Sequence, residues 1–116
     1  MRFVAPFLDL SQAQDIAGAP GPLQDLVRSF RDSLHAELSQ LAQALAEHDE
    51  AQVQHSLHSL KGFIPLFCKA DMTHALVQLY QASRSQPWEA TAQGCEALLP
   101  SWHTLLEEVE AWLGAL

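Results

Sequence analysis

Apolar residues recur at intervals of three and four positions through most of this chain, and no sustained stretch alternates apolar and polar residues as a strand would. The first long run consists of Leu23, Val27, Phe30, Leu34, Leu38, Leu41 and Leu45. Steps of this size place the residues on one face of an α-helix. Three further runs with similar spacing follow, so the pattern predicts an all-α protein in which each helix buries one face.

Capping and turn residues divide this pattern into an N-terminal segment, 1–21, and four helices. The helices are predicted at 22–47, 50–66, 71–84 and 87–115. Asp49, with Gln52 three residues later, resembles a capping box, and Asp71 is the predicted cap of the third helix. A chain of 116 residues is long enough for one domain. The short connections favour an antiparallel up-down four-helix bundle, with a short N-terminal helical segment across one end.

Two prolines fall inside the predicted helices. An interior proline removes one backbone hydrogen bond, so Pro65 is expected to kink or end the second helix near Ile64. Pro100 lies within the fourth helix, where the apolar spacing continues unbroken on both sides. One kinked helix is therefore expected there rather than two.

Composition excludes several classes of function. Acidic residues number 14 and Lys plus Arg 6, a formal charge of −8 with histidine neutral, which argues against a nucleic-acid binder. The longest apolar run, Phe63 to Cys68, is far below the ~18 residues of a membrane span. The stretch Phe3–Leu8 is a poor signal peptide, and Cys68 and Cys95 match neither a zinc spacing nor a disulfide framework. A cytoplasmic, monomeric domain is predicted.

The segment His58-Ser59-Leu60-Lys61-Gly62 is the one most suggestive of chemistry. At ~100° per residue, His58 points about 130° away from the mean direction of the apolar stripe, and Lys61 and Gly62 share its face. A neutral, exposed imidazole is a nucleophile toward phosphorus at neutral pH. Phosphoryl transfer requires positioning and charge neutralisation, and Lys61 can supply the charge. Glycine lowers the stability of a helix interior by ~1 kcal/mol relative to alanine. The close approach of a partner would explain why a glycine stands at position 62.

The same segment resembles the H-x-L-K-G signature of histidine-containing phosphotransfer (HPt) domains, which are four-helix-bundle carriers in multistep two-component phosphorelays. The flanking sequence is also similar. Residues 30–34 and 41–49 resemble the family's long helix and the turn before its histidine helix, and Met72, Leu76 and Leu79 match the next apolar stripe. The resemblance covers roughly residues 8–114.

This resemblance implies a phosphohistidine carrier rather than an independent enzyme, and no ATP-binding motif is found in the sequence. His58 would accept a phosphoryl group from an aspartyl phosphate of a receiver domain and pass it to another, with Lys61 stabilising its charge. The implied partners are receiver domains of response regulators or hybrid sensor kinases. The residues expected to contact them are Gln54, His55, Gly62 and Pro65. Mg²⁺ is implied on the receiver, with no cofactor and no metal site in this chain.

The sequence departs from the family pattern around the histidine. Phe63 and Pro65 stand where small residues are usual, and Cys68 stands where a hairpin glycine is usual. Leu57 precedes the histidine in place of a small residue, and Tyr80 stands where Glu or Gln is common. The nucleophile and the lysine are retained, so these departures bear on partner choice and on the end of the second helix.

Two other functions stay open on the sequence. One is a non-catalytic acidic bundle that binds a partner helix or acts as a chaperone. Such a module needs a large exposed apolar groove, whereas the apolar stripes here are used by a four-helix core. The other is a degenerate carrier that docks receivers without turnover, which Phe63 and Pro65 keep open.

Overall fold

The structure, a computed structural model, describes residues 5–116, and its regular elements are all helices. The helices are α1 (Ser11–Ala17), α2 (Pro20–Ala46), α3 (Glu50–Phe67), α4 (Ala70–Ser85) and α5 (Trp88–Gly114). Residues 1–4, which include Phe3 of the stretch considered as a signal peptide, lie outside the described residues. No helix within 5–116 is both long and apolar enough to cross a bilayer.

Helices α2 to α5 form a bundle in which each helix contacts the next in sequence, and α5 returns to contact α2. The connections span only 47–49, 68–69 and 86–87, so consecutive helices run in opposite directions. Helix α1 packs on α2 and α3. The all-α class and the four-helix bundle predicted from the apolar spacing are therefore confirmed.

The predicted apolar stripes meet in a single core. Its fully buried side chains include Leu34, Leu41, Leu57, Leu60, Ile64, Leu76, Trp102 and Leu105. Aromatic rings close the core where α2 begins and α3 ends: Phe30 stacks on Phe67 with ring centroids 4.1 Å apart, and Phe63 meets Phe30 edge-on. Leu57 and Leu60 therefore fix the rotation of α3, and the residue between them that lies opposite the core is His58.

The ends of α3 and α4 differ in part from the predictions. The backbone N–H of Gln52 donates to Asp49 Oδ1 at 3.1 Å, which confirms the cap of α3. The cap predicted at Asp71 is wrong, because α4 begins at Ala70 and Asp71 lies in its first turn. The backbone of Lys69 is extended and donates its N–H to the carbonyl of Phe7 at 2.9 Å, so the helix starts directly after this contact.

Pro65 does not end α3 near Ile64, because the helix continues to Phe67; the kink that was the other expectation stays a prediction. Only the last turn lies beyond the proline, and the buried, stacked ring of Phe67 holds that turn against α2. Helix α5 runs through Pro100 as one helix, as the unbroken apolar spacing indicates.

An extended N-terminal strap, residues 5–9, crosses the turn between α3 and α4. Its Leu8 pairs with Cys68 in an isolated antiparallel bridge, and the N–H of Asp9 donates to the carbonyl of Phe67 at 2.8 Å. Glu108 on α5 holds the other edge, where its Oε1 accepts the N–H groups of Phe7 at 2.9 Å and of Leu8 at 3.2 Å. The strap thus ties three helices together at the end of the bundle that carries α1.

Candidate functional site

His58 lies near the middle of α3 with its side chain exposed to solvent. The residues on either side of it explain this orientation, because Leu57 and Leu60 are completely buried in the core. Lys61 follows one turn later and is partly buried, and Gly62 is exposed beside it. The structure therefore brings the histidine, the lysine and the glycine together on one open face of α3.

Helix α4 contributes an aromatic ring to this face. The ring centroids of Tyr80 and His58 are 5.6 Å apart, with the ring planes tilted by 47°. The Lys61 ammonium lies 5.2 Å from the centre of the Tyr80 ring. In the sequence, Tyr80 is notable only as a departure from the family pattern. In the structure its ring lies against both His58 and Lys61.

A second cation, Arg84, was missed by the sequence reading. It lies one helical turn after Tyr80 on α4, and its guanidinium carbon is 5.9 Å from the centre of the same ring. The available signal was the spacing of four residues from Tyr80, which places the two on one face of a helix. That signal becomes useful only when the rotation of α4 against α3 is known.

Lys61 and Arg84 differ from the other basic residues of the described chain. Arg28 pairs with Asp25 at 3.2 Å, Arg31 pairs with Asp32 at 3.1 Å, and the ammonium of Lys69 donates to the carbonyl of Ala5 at 2.8 Å. Within 5–116, neither Lys61 nor Arg84 forms an ion pair with a carboxylate. A chain with a formal charge of −8 therefore keeps two uncompensated cations beside one exposed imidazole, an arrangement that attracts anions.

A hydrogen bond between helices fixes this part of α4. Gln54 Nε2 donates to the carbonyl of Ser83 at 2.8 Å, and the Ser83 hydroxyl donates to the carbonyl of Tyr80 at 2.6 Å. Both Gln54 and Ser83 are largely shielded from solvent. The Gln54 amide therefore positions α4 against α3, and its predicted contact with a partner stays a prediction.

The Hpt domain family model matches residues 25–112, which include all of α3 and α4. The chain belongs to the Hpt domain family. This confirms the resemblance seen in the sequence, and membership implies histidine phosphotransfer in phosphorelays and interaction with response-regulator receiver domains. Comparisons with curated proteins and with solved structures gave no significant match.

The remaining predicted residues of this Hpt domain line the same side of α3. His55 is exposed one turn before His58, and Pro65 is partly buried one turn after Lys61. A Cβ atom built on Gly62 would meet no other atom within 4 Å. The fold itself therefore leaves room for a side chain at Gly62. Among residues 5–116 no group of three or more metal-ligating side chains comes together.

Proposed function

We propose that this Hpt domain carries the phosphoryl group on His58 and exchanges it with the aspartyl phosphates of receiver domains. The observation that supports this assignment is the setting of His58. It is an exposed imidazole on the matched helix, and Lys61 and Arg84, neither of which forms an ion pair with a carboxylate of residues 5–116, lie around the tyrosine ring that it contacts. A transferred phosphoryl group carries negative charge on its peripheral oxygens, so this surface is suited to hold it.

The transfer step needs only the imidazole as nucleophile. The unprotonated ring nitrogen of His58 attacks phosphorus, a nitrogen–phosphorus bond forms, and the bond from phosphorus to the aspartyl oxygen breaks. The aspartyl carboxylate leaves with the electron pair, and the proton on the second ring nitrogen is retained or passes to water. The return step, to the aspartate of another receiver, reverses these bond changes.

Lys61 and Arg84 stabilise the negative charge of the phosphoryl group during its transfer. When a receiver docks beside the Tyr80 ring, the Lys61 ammonium and the Arg84 guanidinium can approach the phosphoryl oxygens. Mg²⁺ belongs to the receiver in this proposal, and Gly62 keeps the surface low beside the imidazole. A cytoplasmic location and a monomeric state stay predictions.

The experiment that tests this proposal is transfer from candidate phosphorylated receivers to the full chain. Wild-type protein is expected to acquire label that is lost in acid and kept in base, and the His58→Gln variant to acquire none. His74→Gln is the matched control, because His74 is an exposed histidine of α4. Lys61→Ala should slow transfer about tenfold without lowering thermal stability, since a charge-assisted contact is worth roughly 1.5–3 kcal/mol. Label on the His58→Gln variant would contradict the assignment, and docking without label would favour the degenerate carrier.

A further inference from the structure

The Tyr80 ring lies within about 6 Å of the His58 ring and of the charged groups of Lys61 and Arg84. His58 and Lys61 reach it from α3, and Arg84 reaches it from one turn further along α4. All three of these contacts are made to the aromatic ring of Tyr80. The ring, and not the hydroxyl, is therefore the part of this side chain that organises its neighbours.

We propose that Tyr80 is a positioning residue for phosphotransfer, whose aromatic face holds the Lys61 and Arg84 side chains beside the His58 imidazole. The inference rests on the proposed function and adds the means by which the two cations are kept in place. The negative face of an aromatic ring attracts ammonium and guanidinium groups within about 6 Å of its centre. The observed distances of 5.2 Å and 5.9 Å fall within that range.

A fixed ring is needed because lysine and arginine side chains are long and lose much conformational freedom when they are ordered. No carboxylate within 5–116 orders either cation. Tyr80 can do so because its own position is determined: it is partly buried between α3 and α4, and the Ser83 hydroxyl bonds to its carbonyl.

The position of Tyr80 also gives the departure from the family pattern a physical meaning. A Glu or Gln at this place would offer polar atoms to the imidazole. Tyrosine offers a π face to two cations and an edge or face to the imidazole instead. The ring thus replaces a hydrogen-bonding neighbour by a platform that collects positive charge where the phosphoryl group arrives.

The test compares Tyr80→Phe and Tyr80→Leu in the full chain. Tyr80→Phe keeps the ring and should transfer within about twofold of wild type, whereas Tyr80→Leu keeps apolar bulk and should be slower by about tenfold. The same pair is made in a Lys61→Met, Arg84→Met background, where Tyr80→Leu should cost no more than about twofold because no cation remains to be held. A purely structural role would give the same loss in both backgrounds.

A second readout does not depend on phosphotransfer. Inorganic phosphate is titrated into each protein, and NMR follows the ring protons of His58 and the side-chain protons next to the charges of Lys61 and Arg84. Wild type and Tyr80→Phe should show ring-current shifts of the cation side chains and bind phosphate equally. Tyr80→Leu should lose those shifts and bind about fivefold more weakly.

The outcomes separate the two proposals. If wild type accepts no label on His58, the proposed function fails, and the phosphate titration still decides whether Tyr80 positions the cations. Equal losses in both backgrounds, a Tyr80→Phe variant as slow as Tyr80→Leu, or unchanged ring-current shifts in Tyr80→Leu would each overturn the role of Tyr80.

Discussion

Gly62 is exposed on the face of α3 that carries His58, and the space above its Cα is empty. Nothing in the packing of this chain excludes a side chain there. The glycine lowers helix stability without a compensating contact within residues 5–116, which is consistent with the proposed approach of a partner to this face. A substitution at Gly62 should therefore affect folding and phosphotransfer in opposite directions.

We therefore expect Gly62→Gln to keep or raise the melting temperature while slowing phosphotransfer at least about tenfold. A helix former gains up to ~1 kcal/mol over glycine, whereas a side chain beside the imidazole blocks a phosphorus atom that must come within ~3–3.5 Å. Gly21→Gln is the matched control, because a Cβ at Gly21 of α2 also meets no atom within 4 Å. Thermal unfolding and transfer are measured on both, and a stable Gly62→Gln protein that transfers at the wild-type rate would contradict this role.

The two cysteines are buried thiols whose ionisation is linked to folding. Burial, assisted by the charge of Glu108, raises the pKa of the Cys68 thiol from its usual 9.0 to about 12. Burial, assisted by Glu96, raises the pKa of the Cys95 thiol from 9.0 to about 11. Above pH 9 the thiols of the unfolded chain ionise while those of the folded chain keep their protons, so unfolding releases protons and stability falls as the pH rises.

The free energy of unfolding should therefore drop as the pH rises above about 9, up to about pH 11 for Cys95 and about pH 12 for Cys68, and the drop should be about 1 kcal/mol for each thiol at pH 10. Urea unfolding at pH 8 and pH 10 measures this drop in wild type and in a Cys68→Ala, Cys95→Ala protein. All other ionisable groups are the same in the two proteins, so the difference between their pH dependences isolates the contribution of the thiols. Equal pH dependence in the two proteins would show that the thiols are not linked to folding.

At the scale of single residues, the sequence predicted the outward direction of His58 because one helix wheel determines it. It did not predict the contact with Tyr80 or the nearness of Arg84, since these depend on how α4 rotates against α3. Nor did it predict that the partly buried Trp88 indole stacks on the His48 ring, with the ring centroids 4.1 Å apart. The backbone of His48 has a φ of 54°, a left-handed turn conformation that was not predicted from the sequence.

The helices themselves could be predicted from the sequence, whereas the helix ends that depend on tertiary contacts could not. The apolar spacing places α2 to α5 within a few residues of their observed bounds, because each stripe must be buried. The start of α4 was misplaced because it depends on the strap, which pairs with residues about 60 positions away in the chain. The continuation of α3 past Pro65 likewise depends on a tertiary contact, the stack of Phe67 on Phe30.

The side chain of Glu108 holds the strap to α5, and a single substitution can remove this contact. Its Oε1 accepts two backbone N–H groups, from Phe7 and Leu8, and its Oε2 is buried without a partner in the described chain. Glu108→Ala should lower the free energy of unfolding by about 1–3 kcal/mol, because the two amides lose their acceptor. Amide exchange at Phe7 and Leu8 should accelerate, as measured by NMR.

Glu107→Ala is the control for this change, because Glu107 is the exposed neighbour on α5. It should leave the two amides and the stability unchanged. Phosphotransfer should be the same in both variants, since the strap lies at the end of the bundle and His58 near its middle. Unaltered protection of Phe7 and Leu8 in Glu108→Ala would show that Glu108 does not hold the strap.

The protein is a rod of 44 × 22 × 21 Å and is acidic overall, and Lys61 and Arg84 lie close to His58, near the middle of α3. The long faces of α3 and α4 are therefore available to a partner of domain size without any rearrangement of the core. The large apolar side chains exposed within 5–116 are Ile16 and Leu116, which lie on separate elements from His58. This distribution supports a carrier that meets its partner at a charged site, and the described residues present no broad exposed apolar surface of the kind a chaperone needs.

The most direct test of the central claim is to find the atom that carries the phosphoryl group. The wild-type chain, with nitrogen-labelled histidine, is phosphorylated by a receiver and observed by phosphorus NMR, with His74→Gln and His58→Gln proteins alongside. We expect one phosphorus signal coupled to a ring nitrogen, present in wild type and His74→Gln, absent in His58→Gln, and lost in acid. A phosphorus bonded to oxygen, or a nitrogen-coupled signal that persists in His58→Gln, would contradict it.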